Sequence, residues 1–323
     1  MAAAPEESPV TYGELNDLSA EFEDADTELV RREVELKQPL YEKRQKIVSQ
    51  IPNFWPLVFE QAPPDIDEYI QPSDSALLLS SLVSLGVSHF EIENGGKGDP
   101  RSISIALEFS ENEYFEDKVL EKKFWYRRSK DGWTGLVSEP VDIRWKKGKD
   151  LTGGLLGMVK KVWEEEQARI KENGGSFTKR EKLTAQQKAL KKSMESVGLG
   201  GLSFFAWFGY IGKYISAEES RLATEEEKKR RETRQNGKNG EAANGDDEHD
   251  EDEDEDEDEL EIFPEGENLA IALSEDLWPG AVKYFIQAQE LEAMSDLDFE
   301  SEEEEEEKEE EEDEQPPAKK RKA

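Results

Sequence analysis

Residues 15–51 read LNDLSAEFEDADTELVRREVELKQPLYEKRQKIVSQI, and this stretch decides the fold. Apolar residues recur in it at helical spacing, and two rows keep an eleven-residue beat: Leu18, Leu29, Leu40, Ile51, and beside them Ala25, Leu36, Ile47. Eleven residues in three turns is about 3.67 per turn, so the stripe drifts little around the helix. At 1.5 Å per residue the helix is roughly 55 Å long. Glu, Lys and Arg occupy its other faces, so it cannot bury the stripe alone. A second copy is the simplest partner, with Leu18, Phe22, Ala25, Leu29, Leu36, Leu40, Ile47 and Ile51 as the dimerisation residues. Pro39 removes one helical hydrogen bond at a cost of ~3 kcal/mol and predicts a kink in the rod.

Outside this helix the chain is dominated by charge. It has 323 residues, 37% of them charged, a net charge of -36 and a mean hydropathy of -0.87. The acid is concentrated: residues 246–261 hold 14 carboxylates, and residues 300–314 hold 13 against one Lys. These runs carry -26 of the net charge, leaving a remainder compatible with an ordinary folded body. Carboxylates at this density repel one another and stay solvated, and they call for a basic partner. Without cysteine there are no disulfides, thiolate metal sites or cysteine nucleophiles. No apolar run reaches the ~18 residues that span a bilayer, and residues 1–12 lack the character of a signal sequence. An intracellular, soluble protein is expected.

The chain then unfolds in order. Ile51-Pro52-Asn53-Phe54-Trp55-Pro56 turns a corner. Short helices over 53–61 and 73–85 follow, the second stopped by Gly86. The period then changes to two: residues 87–93, 102–109, 122–128 and 141–145 read as strands of an antiparallel meander, separated by turn sequences. Helices are expected over 155–171 and 217–234, with a basic helical or disordered stretch over 179–196. Phe204-Phe205-Ala206-Trp207-Phe208 is too apolar for a loop, and a closing helix that packs on the sheet is expected over 268–288. The fold class is α+β. The chain divides into a disordered N-terminus (1–14), the long helix (15–52), an α/β body (53–211), a charged insertion (212–267), the closing helix (268–290) and an acidic tail (291–323).

Catalytic readings find little support. Gly95-Gly96-Lys97-Gly98 lacks the spacing and the Ser/Thr of a phosphate loop. His89 on an alternating strand reads as structural or exposed, and His249 lies inside an acidic run. The runs lack the central Gly of a calcium loop. No catalytic residue, metal site or cofactor is assigned, and the chain is read as a non-enzyme. Lys146, Lys147 and Lys149 form a local basic spot, a candidate contact for double-stranded DNA. Lys319-Lys320-Arg321-Lys322 reads as a nuclear localisation signal for an import receptor. Ser295 and Ser301 precede acidic residues in the manner of an acid-directed kinase site, where phosphate would add about -1.5 to -2 charges each.

Five segments stand out in order: Gln38-Pro39-Leu40-Tyr41-Glu42-Lys43-Arg44 running into Ile51-Pro52-Asn53-Phe54-Trp55, then Phe109 to Phe115, Ile143 to Leu151, Phe204 to Phe208, and Asp276-Leu277-Trp278-Pro279. Together they resemble the nucleosome assembly protein family, in particular its SET (template-activating factor I) branch. The resemblance implies a homodimer with an "earmuff" domain on each protomer and an ATP-independent histone chaperone of the nucleus, with some cytoplasmic shuttling. Cargo would be H3-H4, H2A-H2B or both. It further implies histone contacts on the earmuff underside, carried onto Ala206, Trp207, Gly209 and Tyr210; at Ala206, Gly209 and Tyr210 this chain departs from the threonine and aspartate types expected. The insertion is also longer than the resemblance leads one to expect. The acidic runs, through Asp246, Asp247, Glu248, Asp250, Glu251, Asp252, Glu302, Glu303, Glu304 and Glu305, would compete with DNA phosphates for histone Lys and Arg. Exposed ion pairs are worth only ~0–1 kcal/mol each, so affinity would come from number. The alternative is an acidic inhibitor or cofactor of an enzyme, a phosphatase or a histone acetyltransferase.

Overall fold

The structure is a computed structural model that describes residues 12–173, 182–197, 201–235 and 260–294. The long helix α1 spans Tyr12–Val48 and runs through Pro39 without interruption. The helix continues through Pro39 as one element, although Pro39 donates no hydrogen bond to the Glu35 carbonyl. Asn53, in the left-handed region at φ 56°, turns the corner into α2 (Phe54–Glu60). Asparagine tolerates that conformation better than most residues. A turn of helix, α3 (Pro64–Asp67), and α4 (Pro72–Ser81) follow.

The sheet is the expected antiparallel meander, in the order β1-β2-β3-β4. Its strands are β1 (Leu82–Ser88), β2 (Ile103–Phe109), β3 (Val119–Arg128) and β4 (Thr134–Ser138). Three strands differ in their bounds from the sequence reading: β1 ends at Ser88, against the expected strand over 87–93, β3 starts at Val119, three residues early, and the fourth strand precedes 141–145. Leu82 to Leu85 belong to β1 and not to the preceding helix. A bulge at Val83 shifts the register between Leu82 and Ser84, so Leu82 and Leu85 are both buried three residues apart. That spacing imitates a helix. The fourth strand is 134–138, whereas 141–145 pairs with the sheet region only through the bridge of Trp145 to Phe115. Val141 donates instead to the Phe208 carbonyl at 2.8 Å.

The inner face of the sheet alternates as a half-buried sheet should: Ile105, Leu107 and Phe109 on β2, Leu120, Lys122 and Phe124 on β3. Over it lie α5 (Leu155–Glu172) and a 3-10 turn, Phe204–Gly209, in which all six residues are buried. The basic stretch after α5 contains a real helix, α6 (Ala185–Val197), docked through Leu190 and Met194. The charged helix α7 (Ala217–Gln235) lies against β3, with Ser220 Oγ accepting the Arg128 amide at 3.0 Å. The closing segment is broken in two. Gly266–Ile271 passes into a π-turn, Ala272–Leu277, then bends, and residues 281–294 are helical. The bend falls at Trp278-Pro279-Gly280, where Pro279 has no amide hydrogen to continue a ladder.

Candidate functional site

Two faces of α1 carry opposite chemistry. The face turned to the body is polar at its N-terminal half: Glu23 accepts from Arg101 Nη1 at 3.2 Å and Arg128 Nη2 at 3.1 Å. Asp24 pairs with Arg231 of α7 at 2.9 Å, and Arg31 donates to the Gly98 carbonyl at 2.8 Å. At the C-terminal half the contact becomes aromatic. Tyr41 packs on Trp278 with ring centroids 4.0 Å apart, Arg44 donates to the carbonyls of Trp278 and Pro279, and Val48 enters the core. Burial pulls the Arg44 guanidinium below its ordinary pKa. Trp278 Nε1 in turn donates to the Leu85 carbonyl at 3.1 Å, tying this corner to β1.

The other face of α1 carries the apolar stripe, which the body leaves uncovered. Leu18, Phe22, Leu29, Leu36, Leu40 and Ile47 are each at least half exposed, with Leu29 and Leu36 at 66%, and Ala25 is exposed beside them. Ile51 departs from the expected set: α1 ends at Val48, and Ile51 packs against the core of its own protomer.

The residues carried over for histone contact lie inside the body. Ala206 and Trp207 are fully buried, Tyr210 is 5% exposed, and Gly209 is buried. Trp207 Nε1 donates to the Gly266 carbonyl at 2.9 Å and its ring stacks on Phe124, while Tyr210 Oη donates to the Leu136 carbonyl at 3.1 Å. A Cβ at Gly209 would stand 2.7 Å from Ile262 Cδ1. Five aromatic or small residues in a row bury a tight turn, because no solvent-facing position remains in it. The turn is capped by Asp74 on α4, whose carboxylate accepts from Ser203 Oγ at 2.6 Å and the Phe204 amide at 2.7 Å. Burial raises the Asp74 pKa against these bonds.

The charged insertion has a built neck. Glu261, the final carboxylate of the first acidic run, is half-buried and accepts from the amides of Ile211 (2.9 Å), Phe263 (3.1 Å) and Gly212 (3.3 Å). Burial raises its pKa and the three amides oppose that. Beneath it Lys122 is fully buried on β3, its Nζ donating to the carbonyls of Tyr210 (2.9 Å), Glu139 (3.0 Å) and Phe208 (3.2 Å). Burial pulls Lys122 down to about 7. The neck therefore fixes where the insertion leaves and rejoins the sheet edge at β4. The exit runs up α7 to Asp24 of α1.

A second acidic feature lies on the body itself. Asp65 and Glu68 at α3 converge with Glu265 and Asp276 of the closing segment around Tyr69 and Tyr284. Tyr284 Oη donates to both Asp276 oxygens at 2.9 Å. Burial first, and these carboxylates after it, push both phenols up to about 12. Sequence reasoning missed this cluster because its members come from segments some 200 residues apart.

The basic spot is largely engaged: Lys146 Nζ donates to the Asn112 carbonyl at 2.6 Å and Lys149 pairs with Glu113 at 3.1 Å, leaving Lys147 exposed. His89 Nδ1 lies 2.6 Å from the Pro100 carbonyl, a structural contact. Among the described residues no group of three or more His, Cys, Asp or Glu is placed to hold a metal ion, and no helix is long and apolar enough to cross a membrane. The acidic residues Asp246 to Asp252 and Glu302 to Glu305, Ser295, Ser301, and the signal Lys319 to Lys322 lie outside the described residues.

Residues 48–288 match the model of the nucleosome assembly protein family. The chain is 31% identical over 300 residues to a Schizosaccharomyces pombe protein named for nucleosome assembly, covering 90% of this chain and 85% of that one. It is 36% identical over 149 residues to Protein SET of Drosophila melanogaster, covering 44% of this chain and 51% of that one. Among solved structures it resembles Vps75 in fold, with a TM-score of 0.50 and 21% identity over 85% of this chain and 96% of that one.

Proposed function

The chain belongs to the nucleosome assembly protein family, and from that premise we propose that it is an ATP-independent histone chaperone of the SET type. It holds core histones, H3-H4 or H2A-H2B, away from DNA and hands them over in nucleosome assembly and disassembly. The observation that carries this reading is the family match across the whole folded body, 48–288, in a chain that adds -26 of charge in two runs. Histone Lys and Arg otherwise neutralise DNA phosphates. A multivalent polyanion tethered to a folded surface competes for them through local concentration. The cluster Asp65, Glu68, Glu265 and Asp276 supplies acid on the folded surface itself, in place of the buried 206–210 turn.

The working unit in this reading is a homodimer paired through the α1 stripe, and the charge of α1 selects its polarity. Residues 12–30 carry seven acidic and no basic side chains; residues 31–48 carry six basic and three acidic. Antiparallel pairing sets the acidic half against the basic half. Parallel pairing would stack acid on acid. Nuclear entry is assigned to Lys319 to Lys322 and an import receptor.

The test is a titration with H3-H4 and with H2A-H2B at moderate salt, repeated on a variant ending at Glu290 and lacking 246–259. The deletion stops at 259 because Glu261 holds the neck. Weakened but retained binding is expected. Complete loss would reduce the body to a scaffold for polyanions and favour the reading as an enzyme inhibitor or cofactor.

A further inference from the structure

The apolar surface of α1 is not uniform along its length. At 100° per residue, Leu36, Leu40 and Ile47 fall within about 40° of arc, the narrow seam of a two-helix contact. Tyr12, Leu15, Leu18 and Phe22 spread over about 120°, and all four are at least half exposed, Tyr12 at 73%. One partner helix covers a narrow seam. The N-terminal end needs a second surface.

A candidate surface stands where antiparallel pairing would put that end. Pairing centred on residue 31, the midpoint of the stripe, sets the partner's Leu15 beside Ile47 and the partner's Phe22 beside Leu40. Next to those positions Tyr41 and Arg44 hold Trp278 and Pro279, from which the helix over 281–294 departs, stacking Phe285 on Phe54 at 4.8 Å. Ala281, Tyr284 and Phe285 pack into the core from its inner face, with Ala288 buried a turn further on. Val282 and Ile286, one helical turn apart, remain 47% and 49% exposed, and the adjacent Lys283 would meet an acidic segment that exposes Glu14 and Glu21.

Resting on the dimer reading above, we propose that the helix over 281–294 is a second element of the homodimer interface, its Val282/Ile286 strip covering the flank of Tyr12 and Leu15 on the other protomer's α1. Each dimer end is then a three-helix contact. The body of each protomer is thereby fixed to both long helices.

Because the chain has no cysteine, the proposal can be tested by directed cross-linking of the full chain. Mixed Leu15→Cys and Ile286→Cys proteins should give a covalent dimer on mild oxidation, while Leu15→Cys mixed with Val119→Cys should not. The double variant Val282→Asp/Ile286→Asp should weaken dimerisation at least tenfold in sedimentation equilibrium with its circular dichroism unchanged. A dimer of unaltered affinity that shows no 15–286 cross-link would overturn the proposal and leave the α1 dimer standing. A parent chain that is monomeric at micromolar concentration would overturn both.

Discussion

Leu36→Lys is the most direct test of α1 pairing, because Leu36 is 66% exposed and stands outside the hydrophobic core. Fully burying a leucine is worth about 1.5–3 kcal/mol. With two-thirds of the side chain still to be covered, dimerisation recovers about 1–2 kcal/mol per copy. The two-fold doubles this to about 2–4 kcal/mol, or a Kd weakened roughly 30-fold to nearly a thousand-fold at 1.4 kcal/mol per decade. Burying the new ammonium adds to the loss. Sedimentation equilibrium reads the Kd, and thermal unfolding of the dilute monomer checks that the protomer is intact. If Leu36→Lys dimerises as tightly as the parent, the stripe is not the seam and the reasoning from exposure fails.

Other outcomes follow from the neck and the buried groups. Glu261→Ala strands the amides of Ile211, Gly212 and Phe263 and should cost about 1–3 kcal/mol for each that water cannot reach, read as a lowered Tm, with Glu261→Gln milder. Gly209→Ala must displace Ile262 and crowds Leu156 and should destabilise by about 1–3 kcal/mol, measured by urea unfolding; a neutral result would mean the turn has slack. Lys122 titrates near 7 when folded and near its ordinary value of 10.5 when unfolded. The unfolded chain therefore holds more protons between those limits, so stability should climb as pH rises from about 7 to 10. Tyr69 and Tyr284, raised to about 12, reverse the sign above pH 10, where the unfolded phenols ionise first and stability falls. Lys122→Met should flatten the climb alone.

Much of this architecture is legible in the chain. The periodicity of 15–51 gives α1 to within three residues at each end, because a long amphipathic helix repeats its signal many times. The meander is legible from the change to period two. What misleads is local geometry that copies another period: the bulge at Val83 buries Leu82 and Leu85 at helical spacing. Surface and core are harder still. Ala206, Gly209 and Tyr210 carry no mark of burial in themselves; it is imposed by Lys122, Asp74 and Ile262 from elsewhere in the chain. Glu261 is indistinguishable by composition from the carboxylates before it, and only the three amides folded around it set it apart. The cluster at Tyr69 and Tyr284 is assembled by tertiary contact and has no sequence signature.

The neck at Glu261 also separates two kinds of change. The junctions at α7 and at Glu261 are held by contacts of their own. In general, lengthening the chain between two fixed points costs only loop-closure entropy, about 0.6 kcal/mol per doubling, less than the loss of one buried hydrogen bond. Adding or removing carboxylates between residues 235 and 260 should therefore change the stability of the sheet little. Selection can tune how strongly this protein attracts a cation without renegotiating how it folds.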